Sequence, residues 1–385
     1  MEEITRRGLA GRAVLGTAGL AAAPWAQAAP ASQALNTLAK AKGFVGFGSC
    51  AGGGAEEFAS SFNDEAVRAI HRRECGILVC ENETKWVALR PNQKEYNFYL
   101  ADRMVDFAES NGMLMRGHTL LWQKTQYFPK WLMNYDFGTR PATEAERLLR
   151  DHISTVCATF GSRIFSYDVV NEAVDEVTGE MRQTPFTRYL GDKTIDICFD
   201  AAQKAAPHAK LVYNDYMGWG PNSARHRDGV LKLLARLKAN KATVHHLGVQ
   251  SHIGPGTNPE SQGPNSFSDA DQTAWKQFLD AVVAMDLRLV LTEFDVGERG
   301  TPASISERDQ FMADLARRYL DFMFAYRQTD YLMAWGMMDH YSWLQNFGKR
   351  PDGMIKRPSL YDDNYQPKPL REAIADAFRN APPRV

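Results

Sequence analysis

The stretch "SYDVVNEAVDE", residues 166–176, decides how this chain folds. Its adjacent valines, Val169 and Val170, read as a strand buried on both faces, the kind found in parallel sheets covered by helices. Asn171 and Glu172 follow at once. An amide and a carboxylate at the end of a buried strand either cap the next helix or are delivered by the strand to a site.

The same pattern of apolar run, polar tip and helical stretch recurs along the chain. The runs are 43–49 (GFVGFGS), 76–82 (GILVCEN), 114–122 (LMRGHTLLW), 165–173 (FSYDVVNEA), 210–216 (KLVYNDY), 246–252 (HLGVQSH), 287–296 (LRLVLTEFDV) and 331–343 (YLMAWGMMDHYSW). Between them, 63–74, 99–112, 142–161 and 306–326 carry apolar residues at three- and four-residue spacing, which predicts helices with one buried face. Asn63 and Ser306 stand where N-caps belong. Alternating strands and helices imply a parallel sheet with crossover helices, and eight such units close into an α/β fold, a (β/α)8 TIM barrel, as a single domain over 29–385. A doubly wound open sheet is the competing arrangement of the same elements. Gly46-Phe47-Gly48-Ser49-Cys50-Ala51 has the spacing of a dinucleotide-binding turn, but "GGGAEEF" (52–58) does not open a helix after it. Small residues at a crowded barrel mouth account for it better.

The chain has 385 residues, 44% hydrophobic and 24% charged, with a formal net charge of −1. That balance suits a large soluble core and gives no reason to expect nucleic acid as a partner. The N-terminus has the layout of an export signal. Arg6 and Arg7 precede a mild apolar stretch, then Ala26-Gln27-Ala28 forms a small-x-small cleavage site. Residues 1–28 are therefore expected to be a twin-arginine-like signal peptide, cleaved after Ala28, of an exported bacterial protein, periplasmic or secreted. The stretch is too short and too rich in Ala and Gly to span a membrane, so no membrane insertion is expected of the mature form. The five cysteines, an odd number with no CxxC pair, read as buried inert thiols. A monomer without cofactor or metal is the expectation.

The polar tips carry the chemistry. They hold Glu81, Asn82, Glu83, Lys85 and Trp86; His118 and Trp122; Asn171 and Glu172; Asn214, Asp215 and Tyr216; Gln250 and His252; Glu293 and Asp295; and Trp335, Asp339, His340 and Trp343. In a barrel of parallel strands these tips gather at one rim. Caps do not explain polar groups converging from so many strands. Amides that donate and accept, beside indole faces, suit the hydroxyl edges and C–H faces of sugars. Two carboxyl groups, Glu172 and Glu293, are the minimal machinery for glycoside hydrolysis, one protonating the leaving oxygen and the other attacking carbon or activating water.

Taken in order, "ENETKW" (81–86), "RGHTLLW" (116–122), "DVVNEA" (168–173), "YNDY" (213–216), "GVQSH" (248–252), "LTEFDV" (291–296), "AWGMMDHYSW" (334–343) and "LYDDNYQPKPL" (360–370) resemble glycoside hydrolase family 10, the endo-β-1,4-xylanases, from about Gly43 to Phe378. The resemblance implies a barrel that hydrolyses xylan or xylo-oligosaccharides with retention of configuration. By the same resemblance Glu172 is the acid/base and Glu293 the nucleophile. His252 hydrogen-bonds Glu293 and is held by Asp295, and Asn171 binds the 2-hydroxyl of the reacting sugar. Glu81, Asn82 and Lys85 match contacts to sugars on the non-reducing side. His118, Trp122 and Gln250 surround the cleaved unit, Trp335 and Trp343 wall it, and Tyr216 lies on the leaving-group side. Trp131 and Trp275 match no motif and read as packing, and Asp215 as a brace for the rim. Gln123-Lys124-Thr125 departs from the family's His-Ser-Gln. Thr84 stands for a usual Met and Tyr167 for a Trp, both read as packing changes. The alternatives are a related retaining β-glycanase acting on β-glucan or mannan, and a carbohydrate-binding barrel without turnover. A metal-dependent hydrolase using His118, His252, Asp339 and His340 is a further one, although "GFGSC" lacks the His-x-His such a site wants.

Overall fold

In the computed structural model residues 33–54, 60–255, 267–347 and 349–384 are described, so the expected signal sequence at 1–28 lies outside the described residues. The strands are β1 (Gly46–Ala51), β2 (Ile77–Cys80), β3 (Leu114–Trp122), β4 (Ile164–Asn171), β5 (Lys210–Asp215), β6 (His246–Val249), β7 (Arg288–Val296) and β8 (Thr329–Ala334). Each pairs in parallel with its neighbours in chain order, and β8 returns to pair with β1. Pairing of β6 with β7 at His246↔Arg288 through Val249↔Leu291 leaves no break between them, so the sheet is a closed barrel rather than a doubly wound sheet. A two-residue rung, His252–Ile253, pairs further along β7 with Asp295–Val296.

The crossover helices are α1 (Glu65–Glu74), α2 (Tyr99–Ser110), α3 (Pro141–Phe160), α4 (Lys193–Ala205), α5 (Ala224–Ala239), α6 (Asp269–Ala284), α7 (Ile305–Ala325) and α8 (Pro369–Asn380). They make the outer layer, whose buried stripe packs on one side chain set of the strands. The alternate set fills the barrel: Ile77, Val79, Val212, Val290, Tyr331 and Met333 form a separate inner cluster. Successive strand residues thus face two different apolar layers, which is why the runs read as continuously hydrophobic. At Gly48 a Cβ would stand 2.3 Å from the Ile77 carbonyl oxygen, so close strand approach requires glycine there, in keeping with a crowded barrel end.

Two expected caps are displaced. Asp64, not Asn63, caps α1, its Oδ1 accepting from the N–H groups of Ala66 (2.9 Å) and Val67 (3.4 Å). Ser306 lies inside α7, which starts after Ser304. The last strand ends at Ala334, and Trp335–Trp343 belongs to a rim loop with 3-10 turns at Asp339–Tyr341 and Trp343–Gln345. The five cysteines are buried and unpaired. Trp275 is buried against Met323, and Trp131 donates from Nε1 to the Arg90 carbonyl (2.9 Å), which makes both packing residues.

Candidate active site

Strand register aligns the tips. Asn171 at the end of β4 sits opposite Asn214 on β5, the Glu172 N–H donates to the Asn214 carbonyl (2.9 Å), and the Glu293 N–H donates to the Gln250 carbonyl (2.9 Å). Asn171 and Glu172 are not caps, since the next helix, Pro185–Leu190, is capped by Thr184. Glu172 leaves the strand in the left-handed region (φ 55°), a conformation that costs a non-glycine residue roughly 1–3 kcal/mol and persists only where its surroundings fix it. Here the fixing contacts are the bond to Asn214 and Arg182, whose Nε donates to the Glu172 carbonyl (3.1 Å).

A ladder of amides joins the two buried carboxyl groups. Gln250 Nε2 donates to Glu172 Oε1 (2.9 Å) and to Asn171 Oδ1 (3.2 Å). Asn214 Nδ2 donates to the same Asn171 Oδ1 (2.9 Å) and to Glu293 Oε1 (2.7 Å). The Thr292 hydroxyl donates to Asn214 Oδ1 (2.6 Å), which turns the amide's N–H side toward Glu293. Asn171 Nδ2 is left facing Glu172 Oε1 at 3.2 Å. The chain thus brings Glu172 and Glu293, 121 residues apart, to opposite ends of one short hydrogen-bonded array.

Their electrostatic settings differ. Burial pushes the Glu293 carboxyl up, but the hydrogen bond from His252 Nε2 (3.3 Å) and the charges of His118 and His252 hold it below its usual value. Burial would lower His252, yet Asp295 against its Nδ1 (2.9 Å) and Glu293 raise it to about 10, so the ring is a cation beside the carboxylate. Asp295 is fixed in turn by Trp343, whose Nε1 donates to Oδ2 (2.8 Å). On the other side, the Lys124 ammonium lies 2.7 Å from Glu172 Oε2 and 4.4 Å from the centre of the Tyr216 ring.

The remaining expected residues line the same cleft of about 410 Å³, apart from Asp295, which stands behind His252. Lys85 Nζ donates to Asn82 Oδ1 (2.8 Å) and faces the Trp122 ring at 4.6 Å. Burial raises Glu81 to about 7 against the opposing charge of Lys85. Trp122 stacks on Tyr127 with ring centres 3.7 Å apart. His118 Nδ1 pairs with Asp168 Oδ2 (2.9 Å), and its ring meets Trp335 edge-on at 5.3 Å. Tyr216 is buried, its hydroxyl accepting from Arg182 Nη2 (2.7 Å). Asp215 braces the rim, accepting from the Tyr216 N–H (2.8 Å). Among the described residues no three His, Cys, Asp or Glu side chains converge as a metal-binding group. Asp339 pairs with Lys368 (2.9 Å) and His340 with Asp363 (3.0 Å), and neither lines the cleft that holds Glu293.

The sequence profile of glycosyl hydrolase family 10 matches residues 34–377. The chain belongs to this family. Endo-1,4-beta-xylanase B of Thermotoga neapolitana is 30% identical over 314 residues, 81% of this chain and 83% of that protein. Endo-1,4-beta-xylanase B of Paenibacillus barcinonensis is 32% identical over 301 residues, 76% of this chain and 85% of the relative. Xylanase 10B from Thermotoga petrophila RKU-1, solved in complex with xylobiose, superposes with a TM-score of 0.76 at 28% identity, covering 90% of this chain and 97% of that one.

Several contacts of this family 10 chain were not legible as such. Thr84 is more than packing: its hydroxyl donates to the His118 carbonyl (2.6 Å) and accepts from the His118 N–H (3.2 Å), so it fixes the backbone beneath the site. Glu83 turns away from the cleft and accepts from the Gly53 N–H (2.7 Å). Gln123, in place of the family's His, is fully buried, and among the described residues its side-chain amide finds no hydrogen-bond partner, while its N–H donates to the Asn171 carbonyl (2.9 Å). Asn214 was visible as a tip without a role. Asp168 had a signal, a lone acid inside a buried run. Lys124 and Arg182 had none, because each reaches the site from an irregular loop.

Proposed function

We propose that this chain is a retaining endo-β-1,4-xylanase in which Glu172 is the acid/base and Glu293 the nucleophile. The observation that carries the reading is the asymmetric pair: one amide ladder binds both carboxyl groups, and one of them alone is backed by an imidazolium. With xylan across the cleft, protonated Glu172 gives its proton to the glycosidic oxygen as the C–O bond breaks. The Glu293 carboxylate attacks the anomeric carbon from the opposite face and forms a glycosyl ester. Water then attacks that carbon, Glu172 takes the water's proton, and the released sugar keeps the β configuration. Asn171 Nδ2 is the donor placed for the 2-hydroxyl, a contact that strengthens as positive charge develops on the ring. Trp335 and Trp343 supply the walls on which a pentose lies flat, and Lys85 with Asn82 and Glu81 supplies polar contacts further along.

The test is hydrolysis of xylan by the wild type and by Glu293→Ala, with carboxymethylcellulose as the comparison polymer. Loss of the nucleophile is expected to lower kcat/KM by about 10⁵-fold. A variant as active as the wild type, or a higher kcat/KM on carboxymethylcellulose than on xylan, overturns the reading. Residues 1–28 are part of the proposal as a twin-arginine-like export signal of a monomeric periplasmic or secreted enzyme. Intact-mass analysis of exported material should find Ala29 first, and retention of Met1 would count against export by this signal. Among the described residues no helix is long and apolar enough to cross a membrane.

A further inference from the structure

Lys124 occupies a place that the hydrolytic chemistry alone does not explain. It follows β3 in the segment that replaces His-Ser-Gln, and its side chain is about a quarter open to the cleft. Glu172 protonates the leaving oxygen, so it stands on the leaving-group side of the scissile bond. A cation touching both Glu172 Oε2 and the Tyr216 ring is therefore on that side too. In the first step Glu172 gives its proton to the leaving oxygen and does not at the same time serve Lys124 as a carboxylate counter-ion. The other charged or ionisable groups facing Glu172 do not serve as this partner. Arg182 is engaged by Asp175, Glu176 and the Tyr216 hydroxyl. Lys85 is engaged by Asn82, and Glu293 by His252 and Asn214. Among the described residues Lys124 has no acidic partner other than Glu172.

We propose that Lys124 is a specificity-determining residue that binds a carboxylate carried by the sugar on the leaving-group side, a uronic acid substituent. The inference rests on the xylanase reading with Glu172 as the acid.

The experiment compares kcat/KM for a neutral xylo-oligosaccharide and a uronate-substituted one of equal backbone length, for the wild type, Lys124→Met and Lys124→Arg. The wild type should favour the uronate by about tenfold in low salt, as a charge-assisted bond in a partly open site allows. That preference should shrink with added salt. Lys124→Met should bring the ratio near one and Lys124→Arg should keep most of it. A ratio unchanged by Lys124→Met overturns the proposal. If that variant does not fold, the wild-type ratio decides: a ratio of one, or one indifferent to salt between about 0.02 and 0.5 M, overturns it. A wild type that cleaves neither substrate contradicts the xylanase reading itself.

Discussion

At Glu293 two opposed effects meet, burial that favours the neutral acid and His252 that favours the carboxylate, and the imidazolium prevails. The histidine is the more exposed to pH. Burial would lower it, but Asp295 and Glu293 raise it from 6.5 to about 10. A group whose folded pKa is raised contributes stability that is fully present below the unfolded value and lost as pH rises through the folded one. His252→Asn should therefore cost roughly 3 kcal/mol near pH 6, because it breaks a buried charged array, and less as pH approaches about 10. Urea unfolding of both proteins across that range checks this, and a gap that widens with pH would contradict it. The contacts of His252 with Glu293 and Asp295 were accessible through their motifs, which give residue types and order. Lys124 touching Glu172 was not, because nothing in "WQKTQ" says where a loop lysine will point.

The rim loops, as elements, hold their shape through buried charge. Glu298, just past β7, accepts from Arg308 Nε at the start of α7 (2.7 Å) and from the Arg357 N–H (2.7 Å), while its carbonyl accepts from Arg350 (2.9 Å). Arg308 also donates to the Ile355 carbonyl (2.6 Å). These bonds tie the β7–α7 loop to the one that carries Trp343. Glu298→Ala leaves a buried arginine without its acid, which should cost about 3–5 kcal/mol. Calorimetry should show the loss as a lower Tm, and KM for xylo-oligosaccharides should rise more than kcat falls as the loop that carries Trp343 loosens. An unchanged Tm would show that the network bears no weight. Of this only the helical and strand spans could be foreseen. The run 114–122 coincides with β3 even though Arg116 and His118 interrupt its apolar residues. Adjacent Asn63 and Asp64 are equally good caps on paper, and only the extended backbone at Asp64 selects between them.

Across the whole molecule, the barrel is fastened where the two ends of the described chain meet. Glu74 at the end of α1 accepts from the Leu35 N–H (2.9 Å), from Arg371 on α8 (3.0 Å) and from the Tyr361 hydroxyl. Glu74→Ala should lower stability by roughly 3 kcal/mol while leaving one cooperative unfolding transition, since the contact closes the barrel rather than joining separate units. Two transitions in the melt would contradict this. Eight apolar runs made a barrel legible, but the same runs fit an open sheet, and the β6–β7 pairing that decides between them depends on contacts far apart in sequence. Closure is also what brings the tips of β4 and β7 to one anomeric carbon, and there the account is most exposed. Two carboxyl groups close enough for direct attack, ~5–5.5 Å apart against ~6.5–9.5 Å when a water intervenes, must retain configuration. Proton NMR of the first reducing ends released from xylohexaose tests this directly: the β anomer should appear first and then mutarotate, and an α anomer appearing first would contradict it.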